Sequence, residues 1–192
     1  DYLKKRGIYS PEAIKLFKLG YSDRTLGLRL PSKKCKAGSE IRESFFKLGL
    51  HRDKGYEHFT GCLVMPIIDH NGLVTEVYGR KIRSDLTKSA PRHLYLSGPH
   101  KGIWNPDSLK SAGTLISPTM PKEKMIILTE ALIDALTFWV HGFRNVTSSY
   151  GTAGFTPDHL KAFLEYGIQR GYIAYDRDDA GDLAANKLAQ KL

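Results

Sequence analysis

The sequence predicts an α/β protein, in which an α+β N-terminal subdomain precedes a core built on a parallel sheet. Residues 125–192 contain three short apolar runs that alternate with amphipathic stretches in the order β-α-β-α-β-α, and this order favours parallel strands with right-handed crossovers. Residues 62–82 contain two strand-like runs around Asn71-Gly72, a dipeptide typical of tight hairpins. We place the boundary between the two parts so that they comprise residues 1–121 and 122–192.

The earliest predicted elements are helical. Ser10-Pro11-Glu12 has the residue types of a helix start, and Gly20 marks the end of that segment. Residues 31–58 are rich in Lys, Gly and Ser, which is typical of a mobile connecting region, here around a short helix at about residues 40–48. Because the chain begins with Asp1 in a helix-like context, we expect it to be a piece of a longer protein.

The hairpin supplies the predicted strands of the N-terminal part. Its second run alternates in side-chain direction, so one face carries Val74, Glu76, Tyr78 and Arg80. After the hairpin, a Pro-rich joint at residues 117–122 leads into the core.

Each apolar run of the core ends in residues suited to cations or phosphates. The first run stops at Glu130, the second leads into Gly151-Thr152, and the third ends in Asp176-Arg177-Asp178. Gly142 ends the helix after the first run, and Thr156-Pro157 opens the helix after the second. Because ligands on parallel sheets lie at the carboxyl ends of the strands, we expect these three groups to be neighbours.

Carboxylates that lie together without basic partners repel one another unless a cation joins them. Oxygen ligands select hard cations, so we expect Mg²⁺ or Mn²⁺ at Glu130, Asp176 and Asp178. Asp134 lies one helical turn after Glu130 and is a further candidate ligand that could orient it. An isolated Asp-x-Asp pair more often caps a helix or faces water, so the prediction depends on the combination of the three strand ends.

The net charge of +9 is divided unevenly. Residues 1–124 contain 23 Lys and Arg against 12 Asp and Glu, a net +11, whereas residues 125–192 contain 6 against 8, a net −2. A basic module indicates binding to a phosphate backbone. The alternative is a basic surface that only keeps the protein in solution.

Other classes of protein are disfavoured. The sequence has no apolar run of about 18 residues and no signal-peptide pattern, so we expect no membrane partner. Cys35 and Cys62 lie far apart without Cys-x-x-Cys spacing, which predicts reduced thiols in the cytoplasm and no zinc site in this segment.

The core motifs resemble the TOPRIM fold shared by bacterial-type DNA primases, topoisomerases and certain nucleases. The resemblance is carried by Glu130 with Asp134, by Gly151-Thr152-Ala153 and by the run from Asp176 to Gly181. Residues 6–21 resemble the opening of the polymerase domain of the primases, which the other two classes lack. The chain departs from the primase pattern in having Glu130-Ala131 instead of Glu-Gly, and it stops before the family's further acidic residues.

The resemblance extends through the N-terminal part. Arg80, Lys81 and Arg83 match the family's basic cluster that faces nucleic acid, although Thr60-Gly61-Cys62 replaces the basic residues that precede the first hairpin strand. Arg92 and Lys101 are candidates for contacts with triphosphate or template. The Gly-Pro-His-Lys-Gly form of this segment resembles the primase-like proteins of mobile elements, a branch associated with CHC2 zinc ribbons.

The resemblance implies a nucleotidyltransferase that makes short RNA primers on a single-stranded DNA template from nucleoside triphosphates. Glu130, Asp176 and Asp178 would be catalytic, and the backbone of Gly151 and Thr152 would lie near phosphate oxygens. A replicative helicase is a further candidate partner, and the setting would be the cytoplasm, with a bacterial, phage or mobile-element gene. Two alternatives stay open, namely strand cleavage by a TOPRIM nuclease or topoisomerase and a non-catalytic module that binds single-stranded DNA. The activity of this piece alone also stays open, since the later acidic residues are missing.

Overall fold

The computed structural model describes residues 1–83, 85–87, 90–110 and 123–192. It divides the chain into a parallel unit, formed by residues 1–13, 67–75 and 100–192, and an antiparallel unit, formed by residues 14–66 and 76–99. The helices are α1 (Tyr2–Lys5), α2 (Pro11–Leu16), α3 (Leu26–Arg29), α4 (Lys36–Lys47), α5 (Asp107–Lys110), α6 (Leu132–Val140), α7 (Pro157–Glu165) and α8 (Asp179–Ala189). The strands are β1 (Gly20–Tyr21), β2 (Cys62–Ile68), β3 (Val74–Lys81), β4 (His93–Tyr95), β5 (Met125–Thr129), β6 (Val146–Ser148) and β7 (Arg170–Ala174).

Strands β1 to β4 form a four-stranded sheet in the order β1-β2-β3-β4. The outer strands are antiparallel to their neighbours, with Tyr21 opposite Leu63 and Gly79 opposite Leu94. Phe59, Cys62 and Leu94 form a buried apolar cluster in the antiparallel unit. The helix expected at about residues 40–48 is longer than predicted, because α4 begins at Lys36.

The predicted hairpin is present between β2 and β3. The Asp69 carboxylate accepts hydrogen bonds of 2.9 Å from the backbone amides of Asn71 and Leu73, and Gly72 adopts a φ of +80°. This φ lies in the left-handed region that glycine adopts without a steric penalty. The turn therefore lies where the Asn71-Gly72 dipeptide predicts it.

The strand face predicted to carry Val74, Glu76, Tyr78 and Arg80 is exposed at Val74, but its centre is more buried than a nucleic-acid surface would be. Glu76 is 3% exposed and Tyr78 is fully buried. The Glu76 carboxylate accepts hydrogen bonds from the backbone amides of Val77 and Leu96. This face therefore stabilises the antiparallel unit, and Arg80 near its end is only partly exposed.

Strands β5 to β7 form a three-stranded parallel sheet in the order β6-β5-β7. All five residues of the central strand β5 are buried, as expected for a strand covered on both faces. The third strand of this sheet, β7, begins at Arg170 and ends at Ala174, two residues before Asp176. The surrounding core contains Ile103, Leu109, Ile126, Leu128, Phe163, Tyr175 and Leu188.

Two predictions concern segments for which no structure is described. The Pro-rich joint at residues 117–122 lies outside the described residues, and so does the predicted boundary at residues 121 and 122. Both stay predictions. Among the helices of the described ranges, none is long and apolar enough to cross a membrane.

Candidate active site

The three strand ends of the parallel unit lie level with one another. Thr129, the last residue of β5, is opposite both Ser148 of β6 and Ala174 of β7. Each strand therefore passes into its loop at the same edge of the sheet. Glu130, the Gly151 turn (residues 150–154) and Asp176 follow at this edge, as the order of elements predicted.

The buried hydroxyl of Ser149 connects all three strand ends. Its Oγ lies 3.1 Å from the carbonyl oxygen of Thr129, 3.1 Å from that of Gly151 and 2.8 Å from the hydroxyl oxygen of Tyr175. Carbonyl oxygens only accept hydrogen bonds, so the single hydroxyl proton of Ser149 is donated to them. The Tyr175 hydroxyl is therefore the donor in its hydrogen bond with Ser149. Burial raises the pKa of the Tyr175 hydroxyl, which keeps it protonated for this role.

Removal of the Ser149 hydroxyl should lower the stability of the fold more than removal of the Tyr175 hydroxyl. Ser149→Ala leaves the buried Tyr175 hydroxyl without this partner and should destabilise the fold by about 1–3 kcal/mol, whereas Tyr175→Phe should have an effect nearer 1 kcal/mol. Urea unfolding of both variants and of the double variant measures the coupling. Additive effects of the two substitutions would contradict the proposed hydrogen bond.

Acidic side chains gather around Glu130 and define an acidic edge of Glu130, Asp134, Asp176 and Asp178. The pKa of the Glu130 carboxyl is raised, first by burial and then by the negative charge of Asp176. Asp178 and Asp134 raise this pKa further, whereas a hydrogen bond from the backbone amide of Asp176 lowers it. The four predicted metal-site residues therefore lie close enough to interact electrostatically.

Asp178 also has a structural role. Its carboxylate Oδ1 accepts a 2.8 Å hydrogen bond from the amide of Gly181 and thereby caps α8. The helix-capping alternative considered for the Asp-x-Asp pair is therefore real for this residue. Asp176 is exposed, and Arg177 between the two acids pairs with Asp182 at 3.0 Å.

The Gly151 turn is held in shape by its own backbone. Gly151 has a φ of +90°, and its amide donates a 2.9 Å hydrogen bond to the carbonyl oxygen of Glu130. This amide is thus already used within the protein. The amides of Thr152 and Ala153 donate to no backbone oxygen of the described residues, so they are the better candidates for a phosphate contact in this turn.

His159 contacts residues on both sides of the same turn, and it was not among the site residues predicted from the sequence. The fully buried ring accepts a hydrogen bond at Nδ1 from the Thr156 amide, 3.1 Å away, and its Nε2 lies 2.9 Å from the carbonyl oxygen of Ser148. These contacts fit the neutral ring with its proton on Nε2. Burial lowers the pKa of His159.

The stability of the protein should therefore fall in acid. A histidine whose pKa is depressed by folding binds its proton more readily in the unfolded chain, so stability is lost as the pH falls below the unfolded value of 6.5. Melting temperatures at pH 7.5 and 5.5 measure this loss. The difference should shrink in His159→Gln, and an unchanged difference would assign the acid sensitivity to other groups.

A second segment of the parallel unit packs against the Gly151 turn. The Tyr150 hydroxyl lies 3.0 Å from the carbonyl oxygen of Lys101 and 2.9 Å from that of Gly102. The amide of Gly102 donates a 2.7 Å hydrogen bond to Asp158, and the His100 ring stacks on Tyr150. The structure thus places Lys101, a predicted phosphate contact, beside the turn.

The predicted basic residues of the antiparallel unit have different environments. Arg80 contacts His93, whose other ring nitrogen lies 2.9 Å from the Tyr78 hydroxyl. Arg83 forms an ion pair with Asp85, whereas Arg92 is exposed. Lys81 and Arg83 line one cavity together with other basic residues.

Comparisons with known proteins agree with this arrangement. Residues 127–192 match the Toprim-like family. The whole chain is 30% identical over 192 residues to a DNA primase of Helicobacter pylori strain J99. The chain is similar to a DNA primase over its whole length and to the Toprim-like family over residues 127–192. It spans 33% of the length of that curated relative.

Solved primase structures share the fold of this region. The Aquifex aeolicus primase, solved with its zinc-binding and RNA polymerase domains, is 27% identical, with a TM-score of 0.70 over 97% of this chain and 44% of that chain. A DnaG primase catalytic domain bound to single-stranded DNA is 24% identical, with a TM-score of 0.70 over 97% of this chain and 58% of that chain. The predicted α/β fold is therefore confirmed.

A TOPRIM primase region implies a divalent cation, and the acidic edge fits one. Its donors are carboxylate oxygens, and no described basic side chain forms an ion pair with Glu130 or Asp176. Within the described ranges, no three His, Cys, Asp or Glu side chains form a ready-made metal cage. An open site with few carboxylates suits a cation that keeps water and substrate phosphates as its other ligands.

Proposed function

We propose that this region provides the catalytic edge of a primase that makes short RNA primers on single-stranded DNA from nucleoside triphosphates. The observation that carries the proposal is the common position of Glu130, the Gly151 turn and Asp176 at one edge of a parallel sheet. Similarity of the whole chain to a third of a DNA primase supports it. The relatives are bacterial proteins, so we place the activity in the bacterial cytoplasm, with a gene that belongs to the bacterium, a phage or a mobile element.

The residues of the acidic edge would have distinct roles in nucleotidyl transfer. Asp176 and Asp178 would hold Mg²⁺, which when bound lowers the pKa of the attacking 3′ hydroxyl and stabilises charge on phosphorus. The raised pKa of Glu130 suits a group that accepts a proton. Asp134 acts on Glu130 through its charge.

The triphosphate would be held by backbone and lysine donors of the parallel unit. The amides of Thr152 and Ala153 are available in the Gly151 turn, and consecutive backbone amides form concave sites for anions. Lys101 is fixed next to this turn through its carbonyl oxygen. Its exposed side chain would add a positive charge to the same site.

The template would bind to the antiparallel unit, where Arg80, Lys81, Arg83 and Arg92 supply positive charge. His93 holds the guanidinium group of Arg80, and Asp85 holds that of Arg83. The solved DnaG domain with single-stranded DNA supports this choice of partner. A replicative helicase would deliver the template.

Strand cleavage is less well supported than primer synthesis. A nuclease or topoisomerase would use the same acids, but a topoisomerase needs a nucleophilic tyrosine from another domain. The similarity to primases covers the complete antiparallel unit as well as the TOPRIM core. A non-catalytic DNA-binding module would not explain why four acidic side chains lie close together at the sheet edge.

Primer synthesis by the natural protein that contains this sequence tests the proposal. The protein is mixed with single-stranded DNA, labelled ribonucleotides and Mg²⁺, and the products are separated by length. Short RNA that disappears with EDTA is expected. DNA cleavage without RNA synthesis would support the nuclease instead, and DNA binding with neither product would identify a binding module.

A further inference from the structure

The Ser149 hydroxyl lies where the three loops at the carboxyl ends of β5, β6 and β7 meet. Ser149 is fully buried, and its Oγ lies within 3.4 Å of oxygen atoms of Thr129, Glu130, Gly151 and Tyr175. These oxygen atoms belong to the end of β5, to the Gly151 turn and to the residue next to the end of β7. One hydroxyl therefore joins all three loops.

Two acids of the acidic edge, Glu130 and Asp176, are each connected to this hydroxyl by a short path. The Glu130 carbonyl oxygen lies 3.4 Å from Ser149 Oγ. On the other side, the Tyr175 hydroxyl lies 2.8 Å from the same Oγ, and Tyr175 directly precedes Asp176. Ser149 therefore restrains the separation between the backbone of Glu130 and that of Asp176.

The partners of Ser149 are themselves fixed by the core. Thr129 is fully buried at the end of β5, and the Tyr175 ring belongs to the apolar core of the parallel unit. The carboxylates, in contrast, reach solvent, and neither Glu130 nor Asp176 forms an ion pair with a basic side chain of the described ranges. The positions of these two acids therefore depend on their backbone and on the contacts that restrain it.

Cations differ in how strictly their ligands must be placed. Mg²⁺ requires near-ideal octahedral geometry with oxygen ligands at about 2.0–2.1 Å, whereas Ca²⁺ accepts about six to eight oxygen ligands at about 2.3–2.6 Å in flexible arrangements. Carboxylates that are held at a constant separation therefore favour Mg²⁺. If the same carboxylates become free to move apart, the site loses more affinity for Mg²⁺ than for Ca²⁺.

We propose that Ser149 is a positioning residue that makes the acidic edge selective for Mg²⁺ over Ca²⁺, because its hydroxyl restrains the loops of Glu130 and Asp176. This inference rests on the proposed function, in which these acids hold a divalent cation. The buried hydroxyl acts through the backbone of the two acids. Removal of a group that orients metal ligands typically lowers metal affinity by about 10- to 100-fold.

Cation affinities of the natural protein and of three variants test the proposal. Free Mn²⁺ is followed by its electron paramagnetic resonance signal while Mg²⁺ or Ca²⁺ is added as a competitor, so the measurement does not depend on primer synthesis. Ser149→Ala removes the hydroxyl, and Tyr175→Phe removes only the group that donates to it. Ser148→Ala is the matched control, because Ser148 is equally buried and its Oγ lies 2.7 Å from the Ser149 carbonyl oxygen and 3.5 Å from that of Thr129. These contacts join only the ends of β5 and β6.

Ser149→Ala should lower the affinity for Mg²⁺ about tenfold or more and the affinity for Ca²⁺ by less than about threefold. Tyr175→Phe should change the ratio of the two affinities in the same direction, and it carries the test if Ser149→Ala does not unfold cooperatively. Ser148→Ala should leave the ratio unchanged. Equal losses of Mg²⁺ and Ca²⁺ affinity in Ser149→Ala and Tyr175→Phe, or the same change of ratio in Ser148→Ala, would overturn the proposal.

Two further outcomes separate this proposal from the proposed function. If the wild type binds none of the three cations, this proposal and the cation site of the proposed function are both wrong. Selectivity for Mg²⁺ that depends on Ser149, in a protein that makes no primers, would support this proposal and count against the proposed function alone.

Discussion

Asp176→Asn is expected to reduce primer synthesis by the natural protein by at least about a hundredfold, the effect typical of losing one charge-stabilising group in a catalytic site. Asp176 is exposed at the acidic edge, and its negative charge raises the pKa of the Glu130 carboxyl. The substitution keeps the shape of the side chain and removes one negative charge. Product formation at saturating Mg²⁺ and a titration of melting temperature with Mn²⁺ measure the loss of activity and of cation binding separately.

Asp179→Asn is the matched control for this prediction. Asp179 is also exposed, lies three residues away at the start of α8 and undergoes the same change of charge. It is not among the groups that shift the pKa of Glu130. Primer synthesis should therefore remain within about threefold of wild type, as for a surface substitution away from the site. Equal losses in the two variants would show that Asp176 acts only through the general charge of this surface.

Gly181→Ala should be among the most destabilising single substitutions in the parallel unit. A Cβ atom at this position would lie 2.0 Å from the carbonyl oxygen of Asp176 and 3.3 Å from the Asp178 carboxylate. The backbone would have to move and the cap of α8 would be disturbed. We expect a loss of roughly 3 kcal/mol or more in unfolding free energy, which is about 6–12 °C in melting temperature for a chain of this size.

Gly171→Ala provides the comparison for Gly181→Ala. Gly171 lies in β7, and a Cβ atom there would meet nothing within 4 Å. The melting temperature of the Gly171→Ala variant should stay within about 2 °C of wild type, because surface substitutions of this kind rarely change the unfolding free energy by more than about 0.5 kcal/mol. Similar melting temperatures for the two variants would show that the turn from Asp176 to Gly181 can open without loss of stability.

The order of elements in the sequence was sufficient to predict that Glu130 and Asp176 lie at the same edge of the sheet. Glu130 and Asp176 lie 46 positions apart in the sequence. However, Glu130 directly follows β5, and Asp176 comes two residues after the end of β7. The handedness and direction of such strands are strongly restricted. Their carboxyl ends therefore meet whatever the details of side-chain packing.

The residues that support the site could not be predicted in the same way. Ser149 and Tyr175 are ordinary strand-end residues in sequence, and only the alignment of β6 and β7 on β5 reveals that their hydroxyls meet. His159, three residues after Thr156, had a recognisable capping spacing that could have indicated its role.

The hydrogen bond from the Gly151 amide to the Glu130 carbonyl oxygen has a consequence for how this sheet edge can evolve. The turn and the acid share one backbone contact, and Ser149 adds a side-chain contact to the same peptides. A substitution that reshapes the turn therefore also displaces the acid. Among natural relatives, accepted changes at residues 149–151 should consequently be accompanied by compensating changes at residues 129–131, so that these two segments vary as a pair.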